Sequence, residues 1–464
     1  MSGDFSNDTI VALATPPGEG GIGILRLSGP KAPELAAKLW RSRQPVADFA
    51  SHRLYPGCFL DPSGGQELDS GLAVWMRAPH SFTGEEVVEF QLHGGPWLLH
   101  RALEILLHLG ARAAEAGEFS RRAFLNGKMD LLQAEAVADL IHAQSEAALR
   151  NARAQLQGRL SGEIEAMREK LLFAVARIEA AIDFPEEDIE IAQPPQTDAE
   201  LEALERELKT WLEKFQVGRL LREGVKVALV GRPNVGKSSL LNRLLREDRA
   251  IVHASPGTTR DVIEAPAHWG GLAFQLFDTA GIRAGEEEVE REGIRRSRLT
   301  AENADLVLWL LDASEPLREE DRNLARSLRG RVLMVANKMD RETEAHRLPL
   351  WTPPAGSEAW PLIPVSAQDG RGIDELKEAV LQAAGLKAWG ERENAYLNNA
   401  RHQAALLQAL EALSQARTAL ASGLAWECLA ADLRQATQAM EALLGRVSSE
   451  DILGEIFSRF CIGK

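Results

Sequence analysis

The stretch "VALVGRPNVGKSSLL" constrains this chain more than any other. An apolar, strand-like run enters a glycine-bounded loop, and the loop opens a helix. It matches GxxxxGK[ST] at Gly231, Gly236, Lys237 and Ser238. Each residue type has a physical reason. Glycines let backbone N–H groups turn toward phosphate oxygens with no Cβ in the way. The helix N-terminus adds partial positive charge. Lys237 can reach β- and γ-phosphates, and the Ser238 hydroxyl suits a magnesium position. Such a loop belongs to a parallel α/β sheet. Over residues 224–384 the apolar runs "VKVALV", "LVLWLLD", "RVLMVANK" and "LIPVSA" alternate with helical stretches, as that fold requires.

Three further pieces follow in order, each at the end of an apolar run. "DTAG" offers Asp278 to magnesium through water and the Gly281 N–H to a γ-phosphate. In "NKMD", the Asp340 carboxylate can accept two hydrogens from guanine N1 and N2, which adenine does not offer. "SAQ", Ser366 to Gln368, can back the guanine O6 with a backbone N–H. Together they predict a guanine nucleotide. Thr259, in "PGTTRD", is the natural switch threonine for magnesium. One position departs from Ras-like GTPases, where a glutamine after the DTAG glycine orients the attacking water. Here it is Ile282, whose aliphatic side chain can neither aim water nor take its proton. An arginine finger, worth about 10³–10⁵ in rate, or a monovalent cation must act in its place. Asn234 is either a ligand for that cation or a turn residue capping the loop. Glu290, in "EEEVEREG", is either a base or an exposed helical acid.

The flanks have another character. Residues 1–128 alternate short apolar runs with Gly/Pro breaks, the pattern of a mixed α/β domain. Residues 129–223 are rich in Ala, Leu and Glu with apolar residues three and four apart, and break at "FPEED" and "QPPQTD". Residues 385–464 are helical again. The economical architecture is an α/β multidomain chain in which residues 224–384 are inserted between two helical segments that form one bundle. A net charge of −15 argues against a broad nucleic-acid-binding face but leaves room for a local patch. Three cysteines are too few for a disulfide framework. With no leader-like start and no long apolar segment, a cytoplasmic protein with no membrane association is expected.

The blocks "DTIVALATPPGEGGIGILRLSG", "SFTGEEVVEFQLHGG", "GEFSRRAFLNGKMDLLQAEAVADLI", "EAAIDFPEED", "IVHASPGTTRDV", "DTAGIR" and the terminal "FCIGK" resemble, in order and over essentially the whole chain, the bacterial and organellar tRNA modification GTPases called MnmE or TrmE. The resemblance implies a tetrahydrofolate-binding and dimerising domain over 1–128. It implies a helical domain from 129–223 and 385–464, and a Ras-like P-loop GTPase domain over 224–384. The implied activity is GTP-driven aminomethylation or carboxymethylaminomethylation at C5 of the wobble uridine of certain tRNAs. A homodimer would work with the FAD-dependent partner MnmG in a heterotetrameric or larger complex. A 5,10-methylene- or 5-formyl-tetrahydrofolate would supply the one-carbon unit.

Residue by residue, GTP contacts are implied for Asn234, Val235, Gly236, Lys237, Ser238 and Ser239, and for His253, Ala254, Ser255, Pro256, Gly257, Thr258 and Thr259. They are also implied for Asp278, Thr279, Ala280 and Gly281, for Asn337, Lys338, Met339 and Asp340, and for Ser366, Ala367 and Gln368. Potassium would be held at Asn234, His253, Ser255 and Thr258, and magnesium at Ser238 and Thr259. Glu290 matches the catalytic acid, acting through a water. Arg26, Glu89, Lys128 and Lys464 match folate-contacting positions.

The tail "FCIGK" is a poor prenylation box, because Gly463 is not aliphatic and the chain ends in Lys464. Cys461 lacks partners for a metal. It is either a small buried apolar group or a residue near the folate site whose role is open. Two other readings compete with a modifying enzyme. A ribosome-assembly GTPase would carry an RNA-binding module or a second phosphate loop, and neither is seen. A folate-binding scaffold with a regulatory G domain would differ in having no folate turnover coupled to GTP.

Overall fold

The computed structural model describes residues 8–183, 194–247, 263–278, 303–341, 360–387, 395–447 and 449–464. Two compact units emerge. One comprises Met1–Ile141, Gln155–Thr197 and Glu411–Lys464; the other comprises His142–Ala154 and Asp198–Leu410.

The first unit holds a sheet of β1 (Ile10–Leu13), β2 (Gly20–Ser28), β3 (Trp40–Ser42), β4 (Leu54–Asp61), β5 (Gln66–Met76), β6 (Val87–Gly94) and β7 (Arg112–Ala113), in the order β3-β4-β5-β6-β2-β1-β7. All neighbours are antiparallel except β1 and β7. Strand side chains alternate between faces, and β2 divides its residues accordingly. Leu25 and Leu27 are fully buried in a core with Phe59, Phe90 and residues of α1 (Ala32–Leu39) and α2 (Pro96–His108). Arg26 and Ser28 face the other way, beside Ala12 and Ile10 of β1. On that second face Phe119 of α3 (Glu118–Leu125) packs with Ile10 and Ala12.

Helices follow where the three-and-four spacing predicts them: α4 (Leu131–His142), α5 (Glu146–Leu156) and α6 (Arg159–Asp183). Helix α7 (Pro194–Glu223) differs from the expectation. It starts inside "QPPQTD", which reads as a break. Proline is tolerated in a first helical turn, where its missing N–H has no partner to lose. Toward the carboxyl end lie α12 (Trp426–Leu444) and α13 (Glu450–Ser458). Arg168 of α6 bonds Glu441 of α12 at 2.9 Å. Leu453 and Phe457 of α13, with Phe460 beyond it, pack on Leu131, Ala134 and Val137 of α4.

The second unit is a six-stranded α/β sheet among the described residues, ordered β13-β12-β11-β8-β10-β9. The strands are β8 (Val225–Val230), β9 (Ile263–Trp269), β10 (Leu272–Asp278), β11 (Leu306–Asp312), β12 (Val332–Asn337) and β13 (Leu362–Pro364). All pairs are parallel except β9 with β10. Every residue of β11 and β12 is buried, as expected of a sheet covered on both faces. Helices α8 (Lys237–Glu247), α9 (Glu319–Ser327) and α10 (Ile373–Ala383) accompany it, and α11 (Ala400–Ala421) follows. The carboxyl ends of β8, β11 and β12 open at one edge, where α/β sheets hold ligands.

Candidate functional site

The loop from Gly231 to Gly236 joins β8 to α8. Gly236 has φ +99°, and a Cβ there would stand 2.2 Å from Asn337 Nδ2, so only glycine fits. Asn234 also sits in the left-handed region, at φ +64°, a conformation that asparagine tolerates better than most residues. It is exposed, as are Ser238 and Ser239, while Val235 and Lys237 are buried. The Lys237 ammonium donates to the Gly231 and Arg232 carbonyls at 2.7 and 2.8 Å. It is thereby held across the loop whose N–H groups would face phosphates.

Asn337 is wholly buried and ties two motifs together. Its Nδ2 donates to the Val235 carbonyl at 2.9 Å, and its Oδ1 accepts from the Ala367 N–H at 3.0 Å. Ser366 Oγ donates to Asp340 Oδ1 at 2.7 Å, which orients that carboxylate. Lys338 Nζ lies 2.6 Å from Asp312 Oδ2 at the end of β11. Burial alone would raise the Asp312 carboxyl, but hydrogen bonds from Lys338 and Ser314 outweigh it and hold it below the usual carboxylate range. Gly236, Asn337, Lys338, Asp340, Ala367 and Gln368 line one cleft of about 400 Å³ with Arg243 of α8.

The structure therefore brings the phosphate loop, NKMD and SAQ together in one cleft. Met339 is fixed nearby, its N–H donating to the Val365 carbonyl at 3.2 Å. Asp278 ends β10, which pairs with β8. His253, Ala254, Ser255, Pro256, Gly257, Thr258 and Thr259 lie outside the described residues, as do Thr279, Ala280, Gly281 and Glu290.

A second polar cluster sits on the outer face of the N-terminal sheet. Arg26 Nε donates to Glu89 Oε1 at 2.6 Å across the β2–β6 pair, and Arg26 Nη1 donates to the Gly463 carbonyl at 3.1 Å. The tail docks by a β-bridge between Ile462 and Ala116, and the Gly117 N–H donates to the Cys461 carbonyl at 3.4 Å. Gly463 has φ +92°, and a Cβ there would meet the Leu13 carbonyl oxygen at 2.3 Å. Burial, and after it the Arg26 guanidinium, push the Lys464 ammonium below its ordinary range, against the opposing pull of Glu89 and Cys461. Arg26, Glu89 and Lys464 are thus brought together. Lys128 is not bonded to that trio among the described residues; its ammonium donates to the Pro79 carbonyl at 2.9 Å. Cys461 is exposed, which removes the reading as a buried apolar group.

Sequence reasoning missed several supports. Asp312 could have been noticed as a carboxylate ending an apolar strand. Arg243 gave no signal, being one basic residue on a helix. Beneath Ser28, Glu85 accepts from Ser28 Oγ at 2.7 Å and from buried Arg122 at 3.0 Å, and Arg122 also bonds Asp8. Nothing in the run "GEFSRRAF" marks Arg122 as buried.

A family model described as the MnmE helical domain matches residues 131–461, and one described as the GTP-binding protein TrmE N-terminus matches residues 9–128. The chain is 44% identical over 463 residues to the tRNA modification GTPase MnmE of Geobacter metallireducens, covering 99% of this chain and 100% of that one. This chain belongs to the MnmE family. The MnmE of Geobacter sulfurreducens is 45% identical over 462 residues, with the same coverage. That of Symbiobacterium thermophilum is 45% identical over 464 residues, covering 99% of this chain and 100% of the relative. The matched spans include the N-terminal sheet, the helices and the chain around the nucleotide cleft. No helix among the described residues is long and apolar enough to cross a membrane.

Proposed function

We propose that this chain is a GTP-hydrolysing enzyme of tRNA modification. The observation that carries the reading is the joining, through Asn337, of the phosphate loop to the Asp340–Ser366–Ala367 loop in one cleft. The Asp340 carboxylate accepts from guanine N1 and N2, and a phosphate chain lies on the Gly231–Gly236 loop with Lys237 turned onto it. Burying the phosphates against the N-terminus of α8 sets fixed dipoles where charge develops.

The exposed Ser238 hydroxyl, in the first turn of α8, suits magnesium together with Thr259 and, through water, Asp278. Potassium would be held by Asn234, with His253, Ser255 and Thr258; bound there it supplies positive charge where Ile282 offers no glutamine. Glu290 would orient the attacking water. The Arg26–Glu89–Lys464 cluster, with Lys128, would take the tetrahydrofolate. The reaction would be modification at C5 of the wobble uridine, by a homodimer acting with MnmG. On this reading residues 1–128, 129–223 with 385–464, and 224–384 are the three functional domains.

GTP hydrolysis by the purified chain in potassium and sodium buffers of equal ionic strength tests it. Strong potassium stimulation is expected, lost in Asn234→Ala. Equal, slow rates in both would remove the cation from the mechanism. Glu290→Ala is expected to bind GTP but to lose most hydrolysis; normal turnover would withdraw that assignment.

A further inference from the structure

The loop that would cover the base holds its peptide units with unusual completeness. The Ser366 N–H donates to the Arg371 carbonyl at 2.8 Å, and the Ala367 N–H to Asn337 Oδ1 at 3.0 Å. The Asp369 N–H donates to Ser366 Oγ at 3.2 Å, the Gly370 N–H to the Ser366 carbonyl at 2.9 Å, and the Arg371 N–H to Asp369 Oδ1 at 3.1 Å. Between them, the Gln368 N–H has no acceptor among the described residues. It belongs to a loop that lines the cleft.

Arg243 grips the two carbonyls on either side of that amide. Its Nε donates to the Ala367 carbonyl at 3.1 Å, and a terminal nitrogen donates to the Gln368 carbonyl. A trans peptide is planar, with its C=O and N–H pointing in opposite directions. Holding the Ala367 carbonyl toward Arg243 therefore turns the Gln368 N–H away from it. The Gln368–Asp369 unit is held at both ends, by Arg243 and by Ser366 Oγ. A charged donor makes a stronger bond than a neutral one, and the planar guanidinium presents its donors in a fixed fork. Arg243 also rises from α8, the helix that starts at Lys237.

We propose that Arg243 is a positioning residue for base specificity: by clamping the Ala367 and Gln368 carbonyls it aims the Gln368 N–H at the 6-oxo group of the purine. This rests on the guanine reading above. The base edge is then read from two sides, with Asp340 accepting from N1 and N2 and the Gln368 amide donating to O6.

The test measures binding of GTP and of 2-aminopurine riboside triphosphate, which lacks the 6-oxygen and the N1 proton, to the full chain and to Arg243→Ala and Arg243→Lys. Arg243→Ala is expected to weaken GTP about tenfold, the factor that ~1.4 kcal/mol corresponds to, and to weaken the 2-aminopurine nucleotide far less. The preference between the two nucleotides therefore shrinks. Arg243→Lys, whose single ammonium can hold one carbonyl, is expected to fall between. It also serves if the alanine variant does not fold. Equal weakening of both nucleotides, or unchanged GTP affinity, would overturn the proposal. If the unaltered chain itself does not prefer GTP to the analogue, the guanine reading fails first, which is a distinguishable result.

Discussion

The nucleotide cleft and the tail-capped face of the N-terminal sheet solve the same problem, holding charges at a site, over very different spans of chain. In the cleft, each motif is a few consecutive residues at a strand end, and the parallel sheet aligns those ends automatically. On the N-terminal face, Arg26 meets a carbonyl 437 residues later in the chain. The first arrangement comes with the fold. The second exists only when the last residues dock, held among the described residues by the Ile462–Ala116 bridge, the Gly117 N–H on the Cys461 carbonyl and the Arg26 bond to the Gly463 carbonyl. The cleft should therefore fail by loss of chemistry, and the capped face by detachment of the tail.

The sharpest separation comes from Lys237→Ala. Removing a preorganised donor from the charge-bearing site should lower kcat for GTP by about 10²–10³, with the binding of tetrahydrofolate to the other cluster unmoved. A matching loss of folate binding would erase the contrast. Asp340→Asn comes next. Loss of hydrogen bonds to a charged acceptor should weaken GTP by ~1.5–3 kcal/mol, roughly 10- to 100-fold, and xanthosine triphosphate should gain what GTP loses. Unchanged GTP affinity would mean that Asp340 does not read the base.

On the other side of the comparison, Gly463→Ala should release the tail. The added methyl would clash with the Leu13 carbonyl and strain a left-handed residue by ~1–3 kcal/mol. Faster proteolysis of the carboxyl end and weaker folate binding are expected, with GTP turnover retained. Deleting residues 461–464 should do the same and abolish tRNA modification in a reconstituted reaction; if modification persists, the tail is only structural.

The smallest effect is a pH dependence. Asp312 titrates below its ordinary value of 3.8 in the folded protein. Its contribution to stability is therefore complete above that value and is lost as pH falls through the lower, folded one. Acid unfolding monitored for Asp312→Asn should show less stability near neutral pH and a shallower loss below pH 3.8 than the unaltered chain. Parallel curves would show that the Lys338–Asp312 pair is not linked to folding.

Most of the nucleotide cleft was legible because its parts are local. Gly236 is required by its own backbone angle and by the neighbour at Asn337. Asn337, Asp340 and Ser366 follow apolar runs that could hardly be other than buried strands. Arg243 was not legible, since nothing in "SSLLNRLL" distinguishes an arginine that clamps a loop more than a hundred residues away from one that faces water. Asp312 was half legible, as a strand-end carboxylate whose partner depends on which strand lies beside it. The start of α7 was misread because a proline pair breaks a helix from inside yet is harmless at its first turn.

By itself, the sequence determined the α/β character of residues 224–384, the position of the phosphate loop and the order of the guanine motifs. Those depend on periodicity and on contacts within a few residues. Only the tertiary structure decided that Arg26, Glu89 and Lys464 share one face, that Cys461 is exposed there, and that Arg243 and Asn337 bind the base loop from two sides. Such contacts join segments of unrelated sequence, and their partners are chosen by strand order and helix docking rather than by anything the residues carry locally.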